Sequence, residues 1–306
     1  MKFALFPAAS RLAGALALGA VTAFGAPGAV DAAGPEVDPA TAKRHVNLAA
    51  LQPMLAEQIA KAACFAHLGV NPSAQMQYLR GAHGLFEQTH RGMRKGNSAL
   101  GLVAETHPNL LQALDAVDRD AGRWMARSAA LSNGDGDISA QALEALMRDT
   151  ASATAVTEAL SQRTARTYGA DKGVPLALSV RIDLASRQRL MSQRIAKDYC
   201  LIAAGAATPE RRAALSEAVT LFDNSLEALI EGVDAFGLPA ETDARRLALL
   251  NSVGDAWREM RPYVTAVAGG ATPDAAAISA VAWVNNVVLT QANAAVFAYE
   301  TGGVEG

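Results

Sequence analysis

ASRQRLMSQRIAKDYC, residues 185–200, sets four basic side chains and a tyrosine–cysteine pair into a chain otherwise rich in alanine. The apolar residues around it decide the fold. Leu184, Met191, Ile195 and Ile202 lie at i, i+7, i+11 and i+18, which is one stripe of an α-helix and predicts a core face. Arg189, Gln193, Ala196, Cys200 and Ala203 share a second face, turned about 200° from the first at roughly 100° per residue. Small residues and an unpaired cysteine on that face predict the close approach of another helix.

The same stretch occurs upstream in altered form. Residues 47–69 align without a gap on 183–205, with eight of 23 positions identical: Leu48/Leu184, Ala49/Ala185, Gln52/Gln188, Ile59/Ile195, Ala60/Ala196, Lys61/Lys197, Cys64/Cys200 and Gly69/Gly205. The offset of 136 then carries Leu85-Phe86 onto Leu221-Phe222, Gly96 onto Gly232, and GLVAET (101–106) onto GLPAET (237–242). Beyond that the offset falls by three, and Trp124 meets Trp257. Alanine alone could imitate a few matches, but not glycine, tryptophan and cysteine together, so the chain reads as a tandem duplication.

Each copy reads as four helices, over 43–69, 73–96, 106–131 and 139–167, then 177–205, 208–232, 241–268 and 274–300. Glycine, asparagine and proline mark the breaks, and Thr208-Pro209 and Thr272-Pro273 have the form of an N-cap followed by a first-turn proline. Long helices with short connections predict an all-α chain of two tandem up-and-down four-helix bundles, at 40–169 and 176–302. Residues 1–32 read as a cleavable signal peptide: Lys2 and Arg11 flank the start, an apolar run extends from Leu12 to about Val30, and small residues precede a cut near Ala32. No later segment is expected to be apolar enough to span a bilayer. A net charge of −3 argues against a nucleic-acid partner. An exported, periplasmic protein without a membrane span in its mature chain is the expectation.

LASRQRLMSQRIAK (184–197) resembles the opening helix of the PilJ-type sensor domain, the N-terminal domain of type IV pili methyl-accepting chemotaxis transducers. The periplasmic domain of NarX-type nitrate/nitrite sensor kinases shares the pattern. Asn285-Asn286-Val-Val-Leu-Thr-Gln-Ala-Asn293 with Tyr299-Glu300 is similar to the family's last helix. The resemblance covers copy two and, more weakly, copy one. It implies a non-enzymatic, cofactor-free ligand-sensing bundle that signals through a partner such as a membrane sensor kinase or chemotaxis transducer. In the nitrate sensors this helix pairs with its twin across a dimer, and arginines hold the anion between them. By this resemblance Arg189 matches the anion-binding arginine and Arg194 the second basic residue, with Arg187 and Gln188 beside them in the motif. A guanidinium offers a planar fork of donors to an oxyanion such as nitrate or nitrite. Copy one departs from the pattern, with Pro53 in place of Arg189 and Gln58 in place of Arg194. The competing reading of the arginines is solvated helix charge, with Arg194 pairing to Asp198 at i+4.

Cys64 and Cys200 are the chain's two cysteines and share one repeat position. If the two opening helices meet in parallel about a pseudo-twofold axis, equal positions meet and a disulfide forms. The alternative is two small buried residues inherited by duplication. His83, Glu87 and His90 lie at i, i+4 and i+7 in copy one and are candidate ligands for zinc or copper, against the simpler reading of a helix face. A metal-binding protein and a ligand-free helical adaptor are the alternative functions. NGDGDIS (133–139) lacks calcium ligands at both ends of a twelve-residue loop and is read as a loop ending in a helix cap.

Overall fold

Amphipathic runs separated by glycine and proline give helices joined by short connections. The structure, a computed structural model, describes residues 38–134, 136–169 and 176–302. The expected leader at 1–32 lies outside them. The first helix set comprises α1 (Pro39–His67), α2 (Pro72–Lys95), α3 (Pro108–Asp120), α4 (Gly122–Asn133) and α5 (Ala140–Gly169). The second comprises α6 (Leu176–Ala203), α7 (Pro209–Glu231), α8 (Ala244–Ala268) and α9 (Ala275–Thr301). The described residues form no strand, and the fold is all-α.

Side-chain caps start several helices: the Asp38 carboxylate accepts from the Ala40 and Thr41 amides, Thr208 from Arg211, and Asp243 from Arg246. Three expectations need correction. The helix expected over 106–131 is interrupted at Ala121, between α3 and α4. Gly122 follows directly, glycine costs about 1 kcal/mol against alanine inside a helix, and Ser152 Oγ donates to the Asp120 carbonyl at 3.4 Å. Thr272-Pro273 does not open the last helix, because Asp274 caps it instead through the Ala277 amide at 2.7 Å. Finally, α9 is long and apolar enough to cross a membrane, with a mean hydropathy of 1.3 over its most apolar window, 39% of which is buried in the bundle. Alanine and valine pack its inner face, while Trp283 and Phe297 on the same helix stand exposed.

The centre of the molecule is the pair α1 and α6. Helix α1 packs on α5, α2 and α6, while α6 packs on α1, α9 and α7. From Gln52 to Ala66 every residue of α1 except Gln58 is buried. A helix surrounded in this way must be small or apolar nearly all round. The two helices run in parallel, since Asn47 meets Arg189, Glu57 meets Arg194 and Lys197, and Cys64 meets Cys200. One hydrophobic core runs through both helix sets across this seam.

Local geometry recurs at the 136-residue offset. Gln52 Nε2 donates to the Phe86 carbonyl and Thr89 Oγ1, and Gln188 Nε2 donates to the Phe222 carbonyl and Ser225 Oγ. A one-turn 3₁₀ helix follows α2 at Ser98–Leu100 and α7 at Asp234–Phe236, each closed by a bridge, Asn97 to Leu102 and Val233 to Leu238. Glu105 then accepts from the amides of Thr106 and His107 and from the Tyr168 hydroxyl at 2.7 Å. Glu241 does the same with Thr242, Asp243 and the Tyr299 hydroxyl at 2.9 Å. In each set a buried glutamate thus ties the last helix to the loop before the third. Burial alone would raise the Glu241 carboxyl, but donors from Arg246, Asp243, Tyr299 and Arg181 hold it down to about 2.

Candidate functional site

Polar side chains buried along the α1–α6 seam form the chemistry of this molecule. At one end Cys64 and Cys200 are bonded, with Cα atoms 6.1 Å apart. One turn back, Lys61 is wholly buried, and its Nζ donates to Asn285 Oδ1 at 2.8 Å and Asn286 Oδ1 at 2.9 Å. Burial pulls this ammonium down to about 7. Next comes Glu57, buried against Lys197 at 2.7 Å and Arg194 at 3.2 Å. Burial alone would raise its carboxyl, but the two cations win and hold it below the usual range.

Arg189 occupies the far part of the seam and is only 2% exposed. One Nη donates to Asn47 Oδ1 at 3.0 Å and to Ser186 Oγ at 3.1 Å, while the Nε–H has no hydrogen-bond partner. Asn47 Nδ2 donates onward to Glu300 at 2.5 Å, and Glu300 pairs with Arg44 at 3.3 Å. Arg189 forms no ion pair of its own among the described residues. Its guanidinium is lowered to about 10 by burial, with Glu300 opposing in part. Burial raises Glu300 in turn, against the pull of Arg44, Asn47 and Arg189.

Two grooves flank the seam. One, of about 630 Å³, lies between α2 and α9 and is lined by Leu51, Met54, Leu55, Tyr78, Leu85, Leu289 and Phe297, with Asn47 and Arg189. Arg189 is the one charged side chain among its lining residues. The other, of about 330 Å³, lies between α5 and α7, and its lining includes Glu158, Asp183, Arg187, Arg194, Asp198 and Glu217.

The four arginine-motif residues therefore separate. Arg189 lines the first groove. Arg187 is exposed and pairs with Asp183 at 2.8 Å, and the buried Gln188 spends its Nε2 on Phe222 and Ser225 within the second helix set. Arg194 pairs with Glu57 and Glu158 rather than with Asp198, which instead lies 3.5 Å from Lys197. The solvated-charge reading is thereby corrected for Arg189 and Arg194, because α1 and α5 pack over the face that carries them. His83, Glu87 and His90 do not assemble as a metal site. His83 Nδ1 lies 3.1 Å from Ser128 Oγ and its Nε2 3.7 Å from Glu87, while His90 Nε2 is turned to Asp118 on α3 at 2.7 Å. Among the described residues no group of three His, Cys, Asp or Glu side chains could hold a metal ion.

Sequence reasoning did not single out Asn47, Glu57, Lys61 or Glu300 as site residues. Lys61 was marked by its identity with Lys197, and Glu300 by its place in the closing segment. Their meeting along the seam depends on helix packing and leaves no local signal.

Residues 177–282, which span α6, α7, α8 and the start of α9, match the PilJ family model, described as the type IV pili methyl-accepting chemotaxis transducer N-terminal domain. That description suggests a sensor or signalling role for the second helix set. No curated protein and no solved structure matches the chain.

Proposed function

We propose that this protein, whose second helix set is similar to the PilJ family, is an exported, non-enzymatic sensor or ligand-binding protein that takes a small anion at Arg189. One observation carries the reading: a buried guanidinium lines an open groove with an N–H left unpartnered and no carboxylate paired to it directly. A charge-assisted hydrogen bond to a guanidinium contributes about 1.5–3 kcal/mol, which an oxyanion meeting Arg189 from the groove would add. Residues 40–169 and 176–302 are read as two copies of one bundle, supported by hydrogen bonds that recur between matching residues, at an offset of 136 for Gln52/Gln188 and Glu105/Glu241 and of 131 for Tyr168/Tyr299. On this reading the parallel pair α1 and α6 stands, within one chain, for the helix pairing that the resemblance to the nitrate sensors implies between protomers. Pro53 stands where a second arginine would be, so the anion is held from one side. The apolar run at 12–30 supports export, and the bonded cysteines fit an oxidising compartment such as the periplasm. A membrane sensor kinase or chemotaxis transducer would receive the signal.

Thermal unfolding with nitrate, nitrite and acetate tests this. Ligand at about 100 times its Kd stabilises a binding-competent protein by roughly 2.7 kcal/mol, a rise in Tm of several degrees. Arg189→Gln is expected to abolish the rise. An equal rise in the variant places the anion elsewhere.

A further inference from the structure

We infer that the groove between α2 and α9 takes an amphipathic organic monoanion, a straight-chain carboxylate with an apolar tail, one per chain. This rests on the anion reading of Arg189 and narrows it. The groove follows α1 from Asn47 to Gln58, eleven residues or about 16 Å of helix. Arg189 and Asn47 are hydrogen-bonded together at one part of it, Leu51, Met54, Leu55 and Leu85 line much of the rest, and Gln58, Gln77 and Asn293 add neutral polar groups to the lining. Phe297 and Tyr78 border it with 42% and 38% of their surface exposed, so apolar area stands open to water there. Nitrate would engage the guanidinium and cover none of that surface. A carboxylate with an alkyl chain would satisfy the head group and bury the walls.

The second groove shows why the stoichiometry is one. The 136-residue register places Pro53 opposite Arg189, Leu51 opposite Arg187, and Gly81 opposite Glu217. Between Tyr168 and Tyr299 the offset is 131, which places Glu158 at the position of Leu289. The two grooves are thus counterparts across the seam. One carries Arg189 as its one charged lining residue, whereas the other mixes Arg187 and Arg194 with Glu158, Asp183, Asp198 and Glu217 and has Pro53 at the register position of Arg189.

Calorimetric titration of the full oxidised chain with acetate, butanoate, hexanoate, octanoate, nitrate and 1-octanol tests the inference. Octanoate should bind one to one, with affinity rising about fourfold per methylene from butanoate upward. Arg189→Gln should weaken octanoate roughly tenfold or more and leave 1-octanol unchanged. Gly81→Glu copies the charge of the other groove at a helical position whose added Cβ meets nothing within 4 Å. It should fold with an unchanged helical spectrum and weaken octanoate at least tenfold. Equal affinity from acetate to octanoate, with nitrate binding that depends on Arg189, overturns the amphipathic ligand while the anion reading stands. Two octanoates per chain, or octanoate binding untouched by Gly81→Glu, also overturns it. Anion binding indifferent to Arg189→Gln overturns both readings.

Discussion

Lys61 and Lys197 occupy one register position, and what faces each decides its chemistry. Lys197 meets Glu57 and Asp198; burial alone would lower its ammonium, but the carboxylates raise it. Lys61 meets two asparagine carbonyls and falls to about 7 from 10.5. Between those values the unfolded chain holds a proton that the native state lacks, so stability rises with pH across the window from about 7 to 10.5. Below about 7 both states are protonated and the full burial penalty is present. Lys61→Met should remove this rise, which is at most about 1.4 kcal/mol per pH unit. Denaturant unfolding at pH 7, 8, 9 and 10 measures it. The stability advantage of the variant over wild type should shrink as pH increases, and a constant difference would refute the assignment. The identity of Lys61 with Lys197 was legible in the sequence; the difference in their partners was not, since Asn285 lies 224 residues away from Lys61.

At the scale of elements, the connection after α7 is the most constrained turn. Gly232 has φ +78°, and an added Cβ would lie 2.4 Å from the Pro239 carbonyl carbon and 2.5 Å from the Ala240 amide nitrogen. Gly237 has φ +63° with open space around it. Gly232→Ala should cost about 2–4 kcal/mol, through both backbone strain and a clash that rigid main chain cannot relieve, whereas Gly237→Ala should cost about 1 kcal/mol. Thermal unfolding of the two variants checks the order. The glycines, the GLPAET segment and most helix ends were readable from sequence because caps and breakers act within a few residues. The interruption at Ala121 was not, because a glycine alone does not announce a break: Gly81, Gly84 and Gly92 lie within an unbroken α2.

At the scale of the molecule, the Cys64–Cys200 bond fixes α1 beside α6 and joins residues 136 apart in the chain. Chain entropy sets its contribution at about 4–5 kcal/mol for a loop of that length. The double variant Cys64→Ser/Cys200→Ser should lose up to that much in denaturant unfolding relative to the oxidised wild type. A loss within measurement error would mean that packing along the seam alone holds the two helices.

The all-α class, most helix ends, the stripe of core residues and the shared register of Cys64 and Cys200 followed from the sequence itself. Each depends on spacing, capping and breaking signals that operate within a turn or two, or on direct comparison of one stretch with another. Tertiary structure alone decided what each charged side chain meets. Arg189 is buried with a free donor, Arg194 is neutralised by Glu57 and Glu158, and His90 is turned to Asp118, because each partner sits on a different helix. Electrostatic character is set by distance through space in a low-dielectric interior, and only the packing of α1 against α6 brings those groups within reach.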